Sequence, residues 1–433
     1  MKKTVLLLIL CVMPFTCSKV PVMLEIDAMA ISYVKLCLHI GQYDPDYVDA
    51  YFGPEKWIPA ALDSSQSADT VLKRYAQLAD SLIDRLAEID TSSLDTLWML
   101  RFRHLERHLT SARTRIDILL GKTFTFDQES KGLYDVVIPD YPVESLAVVI
   151  EQLDDRVPGA GDLGPRLEAY RKRFDLPGDK ISALFETAMS ECRTTTRRYI
   201  PLPEDEVFTF ELVSGQPWGA YNWYRGDFHS LIQINTSVPV SAGSMLRWAA
   251  HEGYPGHHTH QCVIERELYQ ERGWVEFSIL PLYAPRAVVA EGTANYAVDL
   301  LFPGEARTAY YREVLFPMAG FEPAEAGRYL EITNLAGRLR SYRAIIARDY
   351  LDGRIDRKGA MRQLVNVCLS RESAANRTIQ FWERYRTYVV TYVIGEELVR
   401  DYVERHGGEG NSNRKWELFY RLLATPRTAS LLR

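Results

Sequence analysis

Apolar residues recur at spacings of three and four through most of the chain, which is the period of an amphipathic helix. The pattern predicts helices over Leu24–Ile40, Ala68–Ile89 and Leu94–Leu120, and another over Ile181–Ile200. Asp44-Pro45-Asp46, Phe52-Gly53-Pro54, Pro139–Pro142 and Pro158–Gly164 punctuate this half. In Leu94–Leu120 the apolar positions are Leu97, Leu100, Phe102, Leu105, Leu109 and Ile116. His104 and His108 fall among arginines there, which predicts a solvated face. The texture changes at Pro201. Val207–Val213, Tyr221–Tyr224 and Ser230–Ser237 have strand-forming composition, with a turn at Ser214–Gly219. After Pro239 the helical period returns over Ala242–Arg272, Pro285–Leu300, Ala324–Leu351, Lys358–Leu369, Glu372–His406 and Lys415–Leu423. The expected fold is mainly α, with one small β-sheet beside the helix that opens at Ala242. The expected organisation is an N-terminal helical region over 24–200 and a second helical region over 201–433 that carries the sheet and the candidate chemistry.

The first twenty residues stand apart. Lys2 and Lys3 precede an apolar run from Val5 to Val12, and Met13-Pro14-Phe15-Thr16-Cys17-Ser18 follows. This is the shape of a secretory signal peptide over 1–20, with a run too short to span a bilayer. Cys17 allows a second outcome, membrane attachment through a lipidated cysteine. Either way the mature chain is expected outside the cytoplasm, periplasmic or anchored in a bacterial envelope.

Composition narrows the function classes. The chain has 433 residues, 47% hydrophobic and 25% charged, with net charge −6. That is an ordinary globular balance. The basic residues are dispersed, without the tail or stripe that nucleic acid requires. Cys37, Cys192, Cys262 and Cys368 are scattered and form no C-x-x-C, so no disulfide framework is expected. Cys262 is expected to be a small buried residue.

The chemistry concentrates in His251-Glu252-Gly253-Tyr254-Pro255-Gly256-His257-His258. Without Pro255 and Gly256 it reads as the H-E-x-x-H zinc motif, which sets two imidazoles one helical turn apart with a carboxylate beside the first. With them, a regular helix at about 100° per residue would point His257 roughly 120° away from His251. His258 would share the face of His251 but lie roughly 10 Å along the axis. Pro255 removes the N–H that would bond the His251 carbonyl, and Gly256 admits backbone conformations closed to other residues. The helix is therefore expected to bulge, looping out Pro255-Gly256 and bringing His257 into the second ligand position. His258 is the alternative second ligand. A catalytic zinc site takes three protein ligands. Glu291, in Glu291-Gly292-Thr293-Ala294-Asn295-Tyr296, is the expected third. Glu252 is the expected general base, because a carboxylate beside a metal ligand can take the proton of a water that the metal activates.

These motifs resemble the bacterial domain-of-unknown-function family 885, whose signature is H-E-x-x-P-G-H-H. That family is grouped with the H-E-x-x-H zinc peptidases. Glu291-Gly292-Thr293-Ala294-Asn295-Tyr296 is similar to its E-G-W-A-x-Y element, with Thr293 in place of the tryptophan. Arg384-Tyr385 and Tyr392-Val393-Ile394-Gly395 are similar to its R-Y and Y-K-I-G elements, with Val393 in place of the lysine. The resemblance runs from about residue 25 to 405. It implies a helical, gluzincin-type metallohydrolase with one Zn2+ on His251, His257 and Glu291, and Glu252 as base. Tyr392, in the matched C-terminal element, is the candidate donor to a developing oxyanion. Trp218, Tyr221, Trp223 and Tyr224 either line a substrate cleft, with a peptide added to a strand edge, or pack against the helices. Arg338, Arg340, Arg343 and Arg384 are candidates for holding a substrate carboxylate, with surface ion pairing the competing role for each. The expected activity is hydrolysis of a peptide or other small amide. Two alternatives stand beside it: a non-catalytic metal-binding envelope protein, and a zinc hydrolase of a non-peptide substrate.

Overall fold

Helices make up 66% of the chain and strands 7%, in keeping with the dominance of three-and-four spacing. The computed structural model describes residues 21–62, 65–408 and 410–432. Residues 1–20, with the expected signal segment and Cys17, lie outside the described residues. Among those described, no helix is long and apolar enough to cross a membrane.

The helix Arg286–Leu301 runs through the interior and is buried along most of its length. Its closest neighbour is the helix Val389–Val403, and two glycines set that approach. A side chain on Gly292 would collide with the Gly395 carbonyl, and one on Gly395 would collide with the Val288 carbonyl. Only residues without a Cβ let two helix backbones meet this closely. The main hydrophobic core, from Ile26 to Leu432, packs around this pair and draws on both halves of the chain, with a smaller cluster at Ile264, Leu268, Trp274 and Phe277.

Among the described residues there are five short strands: β1 (Val48–Tyr51), β2 (Val207–Val213), β3 (Ala220–Tyr224), β4 (His229–Asn235) and β5 (Ile279–Pro281). β4 is central in a three-stranded sheet, parallel to β2 and antiparallel to β3. Ser230, Ile232 and Ile234 alternate along β4 as its buried face. β1 and β5 pair antiparallel, tying residue 48 to residue 281. Neither was legible from the pattern, since three or four residues are too few to show a period of two.

Three helical expectations change in the structure. Ala324–Leu351 is two helices, Ala326–Arg338 and Ser341–Leu351, separated at Leu339-Arg340. Glu372–His406 breaks into Glu372–Tyr385 and Val389–Val403. The break is at Arg386, whose φ is +48°. Buried Glu129 holds it there, accepting from Arg386 Nε at 2.7 Å and Thr387 Oγ1 at 2.9 Å. The third correction concerns His104 and His108. They are not on a solvated face; they are 2% and 3% exposed, and their rings stack at 3.7 Å. The helix Thr96–Leu119 turns a polar stripe inward. Arg101, on the same stripe, is fully buried and donates to Glu276 at 2.6 and 3.0 Å and to Asp27 at 2.6 Å. Because its charge is paired, the stripe can be buried.

Candidate metal centre

The helix Ala242–Trp248 passes into a wider turn over Ala249–Gly253. Tyr254 N–H reaches back five residues to the Ala249 carbonyl at 3.0 Å, and Gly256 N–H reaches six to Ala250 at 2.9 Å. The helix then restarts at His257 and runs to Val263. Pro255 and Gly256 are thus excluded from the helical ladder, as expected from the missing proline N–H. Gly256 lies so close to the His251 and Ala250 carbonyls that any side chain would collide with them. The excursion brings the His251 and His257 rings edge to face, with centroids 4.7 Å apart.

Glu291 enters from the helix Arg286–Leu301. Its Oε2 lies 3.3 Å from His251 Nε2 and 3.8 Å from His257 Nε2. The ligand atoms of the three residues all fall within 4.8 Å of one another. Glu291 Oε1 accepts from Tyr388 Oη at 3.0 Å, while Oε2 is buried without a hydrogen-bond partner. A buried, orphaned carboxylate oxygen facing two imidazole nitrogens fits a cation, and two histidines with a glutamate are a zinc donor set.

The electrostatics agree with that fit. Burial pushes the His257 imidazole down to about 4, so its ring is neutral at physiological pH. Burial also raises Glu291, but the close approach of His251, the His257 imidazole and the Tyr388 hydroxyl outweigh it and hold the carboxyl below its ordinary value. Glu252, 6% exposed, is pushed up to about 7, first by burial and further by Glu291 and Asp49. A carboxyl balanced near neutrality suits proton transfer. The Glu252 carbonyl accepts from Asn222 Nδ2 at 2.6 Å, which ties β3 to the turn.

His258 is not brought to the group. Its Nε2 lies 3.0 Å from Glu206 Oε2 and its Nδ1 2.8 Å from Ser230 Oγ. Glu206 also receives Tyr254 Oη, Arg193 and Arg197. Burial would raise this carboxyl, but the bonds from His258, Tyr254 and Arg197 hold it down at about 2. The second histidine of the pair therefore fastens the helix to the sheet.

A cavity of about 160 Å³ opens beside the group, lined in part by His251, Glu252, His257, Glu291 and Tyr392. Tyr392 is 38% exposed, and its ring meets that of Tyr388 edge-on at 5.6 Å. Trp218, Tyr221 and Tyr224 also line the cavity, whereas Trp223 donates to Gln233 at 2.8 Å on the sheet. Tyr221 donates to Asp49 of β1. None of Arg338, Arg340, Arg343 and Arg384 lines it. Arg384 pairs with Asp46 at 2.7 and 2.9 Å, and Arg343 donates to Ser370 at 3.3 Å. Cys262 is buried and unbridged. Among the lining residues that the sequence did not mark are Tyr388 and Arg286. Tyr388 lies four positions before Tyr392, helical spacing that could have marked it. Arg286 lies five positions before Glu291, where nothing in the sequence separates it from a surface arginine.

No family model and no curated protein matches the chain. The likeness to family 885 therefore rests on its motifs. Among solved structures, the chain is similar to a candidate lipoprotein from Colwellia psychrerythraea: 13% identity over 87% of this chain and 70% of that one, TM-score 0.52. It is also similar to a candidate lipoprotein of unknown function from Shewanella oneidensis, with 14% identity, 82% and 72% coverage and TM-score 0.42. An M32 carboxypeptidase from Deinococcus radiodurans R1 matches with 14% identity, 95% and 96% coverage and TM-score 0.35. The first of these likenesses supports the mainly helical fold. At such identities it speaks of fold alone.

Proposed function

We propose that this protein is a zinc-dependent hydrolase of peptide or other small amide bonds, exported to the bacterial envelope. The observation that carries the reading is the orphaned Glu291 Oε2 facing His251 and His257, with Glu252 beside them. His251, His257 and Glu291 would hold the ion. A zinc ion bound there would supply Lewis acidity toward a substrate carbonyl and toward water.

The chain's own residues do the rest. Glu252 would take a proton from the attacking water at its carboxylate and return it to the leaving nitrogen, and its position near neutrality suits both directions. Tyr392 would donate from Oη to the oxyanion that develops as the carbonyl is attacked. Tyr388 orients Glu291. β3 bonds a strand on one edge only among the described residues, and its residues line the cavity, so an extended peptide could add there. Export rests on Lys2, Lys3 and the Val5–Val12 run, and the Colwellia chain that shares the fold is described as a candidate lipoprotein.

The test is elemental analysis of the purified protein, paired with turnover of a mixed peptide library before and after chelation. One zinc per chain, with cleavage lost on chelation and restored by zinc, is the expected result. Stoichiometric metal with no cleavage of any peptide or ester would leave a metal-binding protein instead.

A further inference from the structure

Arg286 opens the helix that carries Glu291 and lines the same cavity. Its partners are few. It donates to Gln261 Oε1 at 3.2 Å, and among the described residues it makes no ion pair. Two other arginines near this region are paired: Arg101 with Glu276 and Asp27, and Arg115 with Asp44 at 2.6 Å. Of the cavity's acidic residues, Glu276 is paired with Arg101, Glu252 and Glu291 belong to the candidate metal group, and Asp49 accepts from Tyr221 and acts on Arg286 only through space, beyond ion-pair distance. Among the described residues, Arg286 is the one arginine or lysine in the lining. A guanidinium stays charged in a protein, and an enclosed charge with no carboxylate bonded to it is costly.

The setting is built. Gln261 is 5% exposed and lies four residues after His257 on the helix His257–Val263. Arg286 lies five residues before Glu291, about 7.5 Å along the axis at the helical rise. The two helices that carry the metal-ligand candidates thus also carry an arginine fixed by an amide, about one turn away. Arg286 is also near enough to His104, His108 and His260 to help keep those buried rings neutral. Neutral rings do not compete with it for an anion.

We infer that Arg286, positioned by Gln261, is a specificity-determining residue that receives a substrate carboxylate within one or two residues of the bond to be cut. An arginine fork matches a carboxylate bidentately. That carboxylate has two sources, the free C-terminus of a peptide or an aspartate or glutamate side chain beside the cleaved bond. The inference rests on the hydrolase reading above, and the test keeps the two apart.

Short peptides of one core sequence would be made in three forms: free C-terminus, C-terminal amide, and C-terminal amide with glutamate beside the scissile bond. Wild type, Arg286→Met and Arg286→Lys, all zinc-loaded, would be compared by kcat/KM. Binding of the same peptides to a Glu252→Gln background would be measured by calorimetry. The wild type should favour a carboxylate-bearing form over the plain amide by at least about 30-fold, the usual scale for losing one side of an enclosed charge pair. Whether the free C-terminus or the glutamate form is favoured identifies the source. Arg286→Met should erase that preference, with a far larger loss of kcat/KM on the favoured carboxylate form than on the plain amide, and Arg286→Lys should restore part of it. Equal handling of all three forms by the wild type overturns the inference, as does an equal loss on every peptide in Arg286→Met. Failure to cleave any form counts against the hydrolase reading. Calorimetry then decides the inference alone, and a carboxylate form bound no more tightly than its amide overturns it.

Discussion

Tyr388 donates its hydroxyl to Glu291 Oε1 at 3.0 Å, and this one bond leaves Oε2 turned toward His251 and His257. Groups that orient a metal ligand typically account for 10- to 100-fold in affinity. Tyr388→Phe should therefore weaken zinc binding by about that factor, read by competition against a chromogenic chelator. An unchanged affinity would mean that the helix backbone alone sets the carboxylate.

Glu252→Gln separates base from ligand. The amide is nearly isosteric and cannot take a proton at neutral pH. Zinc should stay at one per chain while single-turnover hydrolysis falls by at least about 100-fold. Loss of zinc together with activity would make Glu252 a ligand.

The paired histidines should behave oppositely. His257→Ala is expected to lose zinc with little change in folding. His258→Ala is expected to keep zinc but to lose about 3 kcal/mol of stability, since it removes a bond from the buried Glu206 carboxylate, strands the Ser230 hydroxyl and leaves a cavity. Elemental analysis and urea unfolding of the same two preparations settle this. Zinc lost from the second variant alone would reverse the assignment.

Glu206 also gives a pH dependence with a definite sign. Its carboxyl lies at about 2 in the folded chain against an ordinary value of 4.5. A depressed folded value stabilises above the ordinary value, and that contribution drains away as pH falls from 4.5 toward 2. His258, depressed by burial, acts in the same direction below its ordinary 6.5. The stability difference between wild type and Glu206→Gln should therefore narrow as pH falls from about 6 to 3. A gap that stays constant over that range would show that Glu206 does not titrate with folding.

The helices were readable because apolar burial writes its period into the chain, and the departure of Pro255-Gly256 from the ladder followed from a missing N–H. What stayed hidden was polar and long-range. Arg101, His104 and His108 look like a wet face because their partners, Glu276 and Asp27 among them, are distant in sequence. The break at Arg386 depends on Glu129, 257 positions away. Arg286 differs from a surface arginine only in what surrounds it. Periodicity reports which way a side chain points when apolarity drives it, and says nothing when a buried charge finds its partner elsewhere.

The 97-residue separation of Tyr388 from Glu291 has a consequence for biosynthesis. At roughly 5–20 residues per second, the ribosome needs on the order of 5 to 20 seconds to pass from one to the other. Throughout that interval Glu291 lacks its orienting hydroxyl, and the helix that bears it lacks the Gly395 surface against which it packs. A stalled nascent chain ending before Tyr388 should hold no stoichiometric zinc. On that expectation the ion would be acquired only once the chain is finished.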